Sequence, residues 1–382
     1  MRVLGLLSGT SHDGIDAVVV DFVEQDGAVR GTVLHESGAP YAPELRARLV
    51  DALPPASTTL AEICELGTLI GQAFAAVATT AAATVGGVDA VCTHGQTVYH
   101  WIDGGRARGT LQIGQPAWIA EAVGVPVVSD VRIRDITAGG HGAPLVSFLD
   151  ELLLRGRPGI SGALNLGGIA NLTVVGESVT AYDIGPANAL IDAVVVAERL
   201  HPAGYDVDAA VARSGAVDHE LLRALLDDPY YALPVPRSTG KEHFHLDYVR
   251  GHLAGRDVSI PDVVRTLTEL TVQTVARDID ARGVDFLAVS GGGCHNPLIM
   301  DGLRTALPRV EIVSSDGLGA SVDGKEAILF ALIGWCTLHG VAAVLPGATG
   351  AREPRILGSI TPGAGPLRLP EPVAAITSLE LR

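Results

Sequence analysis

The stretch Gly-Leu-Leu-Ser-Gly-Thr-Ser-His-Asp-Gly-Ile-Asp, residues 5–16, decides the fold expected of this chain. Apolar residues flank it on both sides, so it predicts two strands, Val3–Leu7 and Ile15–Phe22, joined by a tight polar turn. Small residues in such a turn let backbone N–H groups surround a phosphate. Neither the P-loop pattern nor G-x-G-x-x-G is present, so an ordinary glycine-rich hairpin remains an equal interpretation of this segment alone.

The same pattern returns in the middle of the chain. Ala163–Leu166 is apolar, Gly167 and Gly168 make a turn, and Leu172–Val175 follows as a second strand. Two similar hairpins, each opening one half of a 382-residue chain, indicate a duplication and two α/β domains facing a cleft. We therefore expect an N-terminal lobe over 1–130 and a C-terminal lobe over 131–382, with the tail after Pro346 free to pack back on the N-terminal lobe.

Strands and helices are expected to alternate along both halves. Helical spacing of apolar residues predicts a helix over Leu60–Thr84, and short apolar runs predict strands at Val88–Cys92 and Phe286–Val289. Further helices are expected at Trp118–Val123, Ala187–Arg199, Val264–Arg282, Asn296–Leu307 and Lys325–His339, with a strand at Val125–Ser129. Such alternation is typical of parallel or mixed sheets covered on both faces.

Composition excludes several classes of partner. The formal net charge of −16 argues against nucleic acid and against an anionic membrane surface, because both demand a basic face. The four cysteines show no C-x-x-C pair, so neither a zinc ribbon nor a disulfide framework is expected. The five apolar residues near the N-terminus are too few for a signal peptide, and we expect a cytoplasmic protein.

Single residues that could carry chemistry stand at the ends of predicted elements. Asp183, in Tyr-Asp-Ile-Gly-Pro, could accept a proton, although a turn or cap role is an equal interpretation. Glu326 opens the last helix, where it could simply complement the helix dipole. Arg132 lies in a polar stretch that could be a surface salt-bridge cluster. His94 and Gln96 could hydrogen-bond sugar hydroxyls.

Two further features suit a nucleotide and its metal ion. Gly291, Gly292 and Gly293 follow a predicted strand, where they could provide a flat floor for a base or ribose; a plain strand–helix turn is the alternative. Asp13 and Asp16 could hold a phosphate-bound Mg²⁺ through water.

Six strings, in order along nearly the whole chain, resemble the anhydro-N-acetylmuramic acid kinase family. They are Gly-Leu-Leu-Ser-Gly-Thr-Ser-His-Asp-Gly-Ile-Asp (5–16), Thr-His-Gly-Gln-Thr-Val (93–98), Leu-Gln-Ile-Gly (111–114), Gly-Ala-Pro-Leu-Val (142–146), Asn-Leu-Gly-Gly-Ile-Ala-Asn-Leu-Thr (165–173) and Val-Ser-Gly-Gly-Gly (289–293). No single string is diagnostic, but the ordered set is specific.

The resemblance implies an α/β fold of the actin, Hsp70 and sugar-kinase type, in which two RNase-H-like lobes with mixed sheets surround a central ATP cleft. It assigns a first phosphate-binding hairpin to Gly9, Thr10, Ser11, His12, Asp13, Gly14, Ile15 and Asp16. It also implies a second hairpin around Gly167 and Gly168, an adenosine site at Gly291–Gly293, and a homodimer.

The resemblance further implies the reaction. Asp183 would be the general base that deprotonates a water attacking the anomeric carbon of 1,6-anhydro-N-acetylmuramic acid. The anhydro bridge opens, and O6 takes the γ-phosphoryl group of ATP, with Mg²⁺, in peptidoglycan recycling. His94, Gln96, Arg132 and Glu326 would contact the sugar.

Three positions depart from the family pattern, and two other functions stay open. His12 replaces a usual Leu or Met, Ile184 replaces Thr, and Ala187 replaces Gly. The alternatives are a levoglucosan (1,6-anhydroglucose) kinase and a non-catalytic actin- or Hsp70-like nucleotide-binding module. Lys241 follows a polar loop expected to close over the sugar, so it is not expected to contact the γ-phosphate.

Overall fold

The chain folds into two compact units. The computed structural model describes residues 1–9, 11–240 and 242–382, so Thr10 and Lys241, both named above, lie outside the described residues. The first unit contains Met1–Leu153, Leu318–Ala320 and Gly324–Arg382, and the second contains Leu154–Gly317 and Ser321–Asp323.

The first unit is built on a mixed sheet. Its strands are β1 (Arg2–Ser8), β2 (Gly14–Gln25), β3 (Ala28–Pro40), β4 (Ala90–Asp103), β5 (Arg106–Ile113), β6 (Val127–Ser129), β12 (Ser359–Thr361) and β13 (Ser378–Leu381). In spatial order they are β12-β6-β4-β1-β2-β3-β13, and β5 pairs with β4. Neighbouring strands β1, β2 and β3 form an antiparallel meander, while β4 lies parallel to β1 and β6 lies parallel to β4.

Helices cover both faces of this sheet because its central strands are apolar on both sides. Leu4 and Leu6 of β1 pack in one core with α2 (Leu60–Thr84). Val3 and Leu7 pack in the other core, with α12 (Lys325–Leu338). Helix α2 is long and apolar enough to cross a membrane, but half of its most apolar window is buried, as in a core helix.

The contact between α12 and β1 depends on one glycine. A Cβ on Gly5 would lie 2.0 Å from the carbonyl oxygen of Ala327 and 2.6 Å from the backbone nitrogen of Ala331. Because glycine has no side chain, the helix backbone lies directly on the strand. The helix therefore belongs to the first unit, although the sequence placed it in the C-terminal lobe. The tail also belongs to the first unit, as the sequence allowed, because β12 pairs with β6 and β13 pairs with β3.

The second unit repeats the strand arrangement of the first. Strands β7 (Ser161–Leu166), β8 (Ile169–Val175) and β9 (Val179–Pro186) form an antiparallel meander. Strand β10 (Phe286–Ser290) lies parallel to β7, and β11 (Glu311–Ser314) lies parallel to β10. The order β11-β10-β7-β8-β9 has the order and sense of β6-β4-β1-β2-β3, which agrees with the duplication expected from the sequence.

The remaining helices surround the two sheets. In the first unit they are α1 (Pro43–Asp51), α3 (Pro116–Val123), α4 (Ile133–Thr137), α5 (Val146–Leu154, which ends in the second unit) and α13 (Pro346–Thr349). In the second unit they are α6 (Ala189–Ala197), α7 (Ala210–Ser214), α8 (His219–Leu226), α9 (Leu246–Leu253), α10 (Ile260–Ala281) and α11 (Pro297–Ala306). The α/β class with mixed sheets, predicted from the sequence, is confirmed.

The boundary between the units differs from the expected one. The chain passes from the first unit to the second between Leu153 and Leu154, not between residues 130 and 131. The reason is α5, whose Phe148, Leu149 and Leu152 are buried in the core that also contains α12.

Candidate active site

The first hairpin turn joins β1 to β2. The hydroxyl of Ser8 lies 2.6 Å from the carbonyl oxygen of Gly14, which closes the turn from inside. Ser11 Oγ donates to Asp13 Oδ1 (2.7 Å), and both side chains are exposed. His12 has a φ of 54°, a left-handed conformation that is uncommon for a non-glycine residue. The described part of the predicted phosphate hairpin is therefore a tight turn with solvent-facing polar groups.

In strand β2, which follows this turn, some side chains lie in the core and others are exposed to solvent. Ile15 is buried, so its side chain serves the core, whereas Asp16 is exposed. Gly14 meets β3 closely, because a Cβ there would lie 2.5 Å from the carbonyl oxygen of Ala39. Asp13 and Asp16 thus remain reachable for a hydrated cation. Within the described residues no three His, Cys, Asp or Glu side chains form a metal site.

Gln96 lies directly behind this hairpin and is fully buried. Its Nε2 donates to the carbonyl oxygens of Gly9 (3.2 Å) and Thr97 (3.3 Å). Its Oε1 lies 2.7 Å from Ser8 Oγ and accepts a longer bond from Tyr41 (3.4 Å). Both amide N–H donors are thus used within the protein, and Oε1 lies between the hydroxyls of Ser8 and Tyr41. These contacts favour a role in bracing the hairpin over the sugar contact expected from the sequence.

The second hairpin turn, at Gly167 and Gly168, is held by the start of α6. The backbone N–H groups of Ala187 and Ala189 both donate to the carbonyl of Gly168. Asn188 donates from its side chain to the carbonyls of Leu166 (3.1 Å) and Gly167 (3.0 Å). The sequence reasoning did not identify Asn188, although its place directly after Gly-Pro-Ala put it beside the turn.

The three glycines after β10 pack against this second hairpin. Gly291 has a φ of 85°, and a Cβ there would lie 2.3 Å from Asn165 Oδ1. A Cβ on Gly293 would lie 2.6 Å from the Cβ of Leu166, whereas one on Gly292 would meet nothing within 4 Å. The structure therefore brings two sequence-predicted nucleotide segments together in the second unit. Gly291 and Gly293 are required by packing, and Gly292 lies beside open space.

Asp183 stands on β9, an edge strand of the second sheet. Its Oδ2 accepts hydrogen bonds from Ser238 Oγ (2.9 Å) and from the backbone N–H of Thr239 (3.0 Å). Among residues 1–9, 11–240 and 242–382, no donor is bonded to Oδ1. One oxygen of this half-buried carboxylate is therefore fixed, and the other is available to a ligand.

The surroundings of Asp183 act on its pKa in opposite directions. Burial raises the pKa above the ordinary value of 3.8, the bonds from Thr239 and Ser238 lower it, and the negative charge of Glu242 raises it. Burial dominates, so the pKa is raised. A raised carboxyl pKa at a half-buried position is typical of a group that takes up a proton during catalysis.

Arg132 and His94 form a fixed pair in the first unit. Arg132 Nε donates to His94 Nε2 (2.8 Å), and Arg132 Nη1 donates to the carbonyl of Gly142 (2.6 Å). His94 Nδ1 lies 3.1 Å from the carbonyl of Gly95, so the ring is neutral and carries its proton on Nδ1. Burial and the nearby Arg132 charge hold the His94 pKa well below 6.5. Both ring nitrogens are engaged, so His94 supports Arg132, whose Nη2 has no partner among the described residues.

Glu326 opens α12 in the same unit. The surrounding protein raises its pKa, while the charges of Arg132 and Lys325 lower it. Its side chain remains reachable by solvent. The adjacent Lys325 is buried and lies 2.5 Å from Asp150 Oδ1, an ion pair that anchors the first turn of α12. Of the predicted sugar ligands, Arg132 and Glu326 thus have polar groups to which no described residue is hydrogen-bonded.

Comparison with known proteins gives the family. The family model for anhydro-N-acetylmuramic acid kinase matches residues 1–363. This chain belongs to the anhydro-N-acetylmuramic acid kinase family. The resemblance read from the six ordered strings is confirmed.

Relatives that carry this name match the chain over nearly its full length. The anhydro-N-acetylmuramic acid kinase of Streptomyces coelicolor is 52% identical over 377 residues, covering 97% of this chain and 96% of the relative. That of Rhodococcus erythropolis is 48% identical over 376 residues, covering 95% of each chain. A solved ROK family glucokinase from Streptomyces griseus, in complex with glucose and AMPPNP, is 14% identical with a TM-score of 0.37, covering 87% of this chain and 97% of that chain.

Two departures from the usual anhydro-N-acetylmuramic acid kinase pattern lie in the core of the second unit. Ile184 is fully buried in the core of the second unit, on the side of β9 opposite the Asp183 side chain. Ala187 is not at positive φ, so alanine replaces glycine there without backbone strain. The third, His12, lies in the first hairpin itself.

Proposed function

We propose that this chain uses ATP to convert 1,6-anhydro-N-acetylmuramic acid into N-acetylmuramic acid 6-phosphate. Membership of a kinase family supports phosphoryl transfer. The proposal depends mainly on the contacts of Asp183. One oxygen of its carboxylate accepts hydrogen bonds from Ser238 and Thr239, and no described residue donates to the other oxygen.

Asp183 acts as the general base. Its free Oδ1 takes a proton from a water molecule as that water attacks the anomeric carbon. The C1–O6 bond breaks, O6 leaves as the nucleophile for the γ-phosphorus, and the β–γ phosphoanhydride oxygen leaves with ADP. The sugar therefore gains one water and one phosphoryl group.

The nucleotide is held by the glycine segments. By the family resemblance, backbone N–H groups of the hairpin that contains Gly9, Ser11, His12, Asp13, Gly14, Ile15 and Asp16 would bind phosphate oxygens, and those of the turn at Gly167 and Gly168 would do the same. The adenosine lies beside Gly292, where the structure leaves open space. Mg²⁺, carried on the phosphates and approached through water by Asp13 or Asp16, would neutralise charge that develops on the transferred group.

Arg132 provides the positive charge that would bind the carboxylate of an acidic sugar. Its guanidinium is oriented by His94 and Gly142 and keeps Nη2 available, which suits the lactyl carboxylate of the muramic sugar. Levoglucosan carries no carboxylate, so this observation favours the amino sugar. Glu326, whose charge lies near that of Arg132, would accept hydrogen bonds from sugar hydroxyls. We further propose that the protein is cytoplasmic, and from the family resemblance that it forms a homodimer.

The direct test is the mass of the product. Purified protein is incubated with Mg-ATP and either 1,6-anhydro-N-acetylmuramic acid or levoglucosan, and the sugar is analysed by mass spectrometry while ADP release is followed. We expect the muramic sugar to gain both water and phosphate and levoglucosan to react far more slowly. A phosphorylated product with an intact anhydro ring would overturn the coupled mechanism. Binding of ATP with neither sugar product nor sugar-dependent ADP release would favour a non-catalytic module.

A further inference from the structure

Arg237 occupies a buried position between β9 and α10 in the second unit. Its side chain is 6% exposed and forms an ion pair with Asp278 Oδ2 (2.6 Å), which is 13% exposed. Its Nη1 donates to the carbonyls of Tyr231 (3.1 Å) and Leu233 (3.2 Å). Its guanidinium also lies 5.3 Å from the ring centre of Tyr230. The Arg237 side chain thus contacts both helix α10 and the turn that contains Tyr230 and Tyr231.

Arg237 also hydrogen-bonds to the backbone of Asp183 on the free edge of strand β9. The backbone N–H of Asp183 donates to the carbonyl of Arg237 (2.9 Å), and Arg237 Nε donates to the carbonyl of Asp183 (3.2 Å). Tyr230 Oη donates to that carbonyl as well (2.7 Å). An edge strand normally leaves these groups to solvent or to another chain, so this pairing fixes the backbone of residue 183.

The next two residues contact the carboxylate itself. Ser238 Oγ and the N–H of Thr239 both donate to Asp183 Oδ2. Their positions follow from that of Arg237, because the backbone of Arg237 is hydrogen-bonded to Asp183 and its side chain is anchored to Asp278. The Arg237–Asp278 pair is thus connected to one defined oxygen of the carboxylate.

We propose that Arg237, anchored by Asp278, is a positioning residue that holds Ser238 and Thr239 against Asp183 so that Oδ1 faces the attacking water. The inference rests on the proposed role of Asp183 as general base. The simpler alternative is a buried ion pair that only stabilises the second unit.

The hydrogen bonds from Ser238 and Thr239 also lower the pKa of Asp183 against the dominant effect of burial. A displacement of the segment that breaks these two hydrogen bonds without exposing the carboxylate removes the donors and leaves the burial. The pKa of Asp183 then rises, and the acid limb of the pH–kcat profile moves to higher pH. A change in stability alone does not move that limb.

The test compares Arg237→Gln with the double variant Arg237→Gln/Asp278→Asn. The single change leaves Asp278 buried without its hydrogen-bonded partner, which is destabilising although the charges of Arg277 and Arg282 lie nearby, and the double change removes the Asp278 charge. We expect the double variant to recover melting temperature but not kcat, which stays at least about tenfold low. We also expect its acid limb to move up by roughly half a pH unit or more. Recovery of both kcat and the wild-type limb in the double variant would overturn the proposal.

Two single variants complete the experiment: Ser238→Ala removes one of the two donors, and Arg282→Gln is the control. Ser238 is exposed, and its hydroxyl bonds Asp183, so Ser238→Ala is expected to fold normally and to move the limb in the same direction by a smaller amount. Arg282 also lies near Asp278 and bonds Tyr182 Oη (3.2 Å), but it does not touch Asp183, so Arg282→Gln should leave the limb unchanged. An unmoved limb in Ser238→Ala would reject the proposal even if the Arg237 variants do not fold.

Asp183→Asn separates this inference from the proposed function. If Asp183→Asn retains wild-type turnover, the base assignment itself fails. If Asp183→Asn is inactive while the Arg237 double variant keeps the wild-type profile, only the positioning role fails.

Discussion

Gln96 Oε1 lies 2.7 Å from the hydroxyl of Ser8, and the other end of the same amide donates to the carbonyl of Gly9. The side chain therefore spans the base of the first hairpin from behind. Because it is fully buried, no water can replace these bonds if the amide is lost.

Gln96→Leu is therefore expected to loosen the hairpin and raise the KM for ATP by about tenfold, the loss of one or two buried hydrogen bonds. The KM for the sugar should change much less. Gln112→Leu is the control, because the Gln112 amide bonds Thr97 and Thr110 instead. A rise confined to the sugar KM would restore the sugar-binding role expected from the sequence.

Asp183→Asn is expected to lower kcat by at least about 10²-fold, because it keeps the shape of the side chain and removes the base. ATP affinity should stay near wild type, since the glycine segments are unchanged. Steady-state kinetics and a nucleotide-binding titration check both expectations. Near-wild-type turnover would remove the catalytic assignment.

The raised pKa of Asp183 fixes the sign of two pH effects. The base works only when ionised, so kcat should fall as pH decreases through a value above 3.8, the ordinary pKa. Because the folded-state pKa is above the unfolded one, ionisation of Asp183 reduces stability at pH values above both. The melting temperature of Asp183→Asn at pH 7 should therefore not fall below that of the wild type. A cap role predicts a clear decrease instead.

Gly292→Ala and Gly293→Ala form a matched pair. The new Cβ at 293 would lie 2.6 Å from Leu166, so this variant should have a lower melting temperature. The new Cβ at 292 meets no protein atom within 4 Å, so this variant should keep its melting temperature. If adenosine lies beside Gly292, the KM for ATP should nevertheless rise several-fold in Gly292→Ala. An unchanged KM there would place the adenosine elsewhere.

Arg132→Gln tests recognition of the lactyl carboxylate. Loss of a charge-assisted bond should raise the KM for 1,6-anhydro-N-acetylmuramic acid by about 10- to 100-fold, with little effect on ATP. Arg134→Gln changes the same charge at an exposed position two residues away and should leave both constants near wild type. Equal effects of the two variants would argue against a specific contact.

Local sequence predicted six of the helices, including the four longest, and both hairpins. The apolar spacing in Leu60–Thr84 matched α2 at both ends, and Phe286–Val289 matched β10 to within one residue. Strand β4 is longer than expected, Ala90–Asp103 instead of Val88–Cys92, because its polar second half pairs with β5. The partner residues in β5 lie 3 to 17 positions further along the chain, and the apolar run Val88–Cys92 does not contain that pairing.

The tertiary structure alone decided where distant segments meet. The sequence showed that Lys325–His339 is helical, but its packing on β1 depends on the missing side chain of Gly5, more than 300 residues earlier. The sequence likewise singled out Asp183 but gave no sign that Arg237, Ser238 and Thr239 contact it, because those contacts join the edge of β9 to a loop over 50 residues later. Periodicity and turn residues act through neighbours along the chain, whereas hydrogen bonds to a carboxylate and close backbone contacts depend on how separate segments pack.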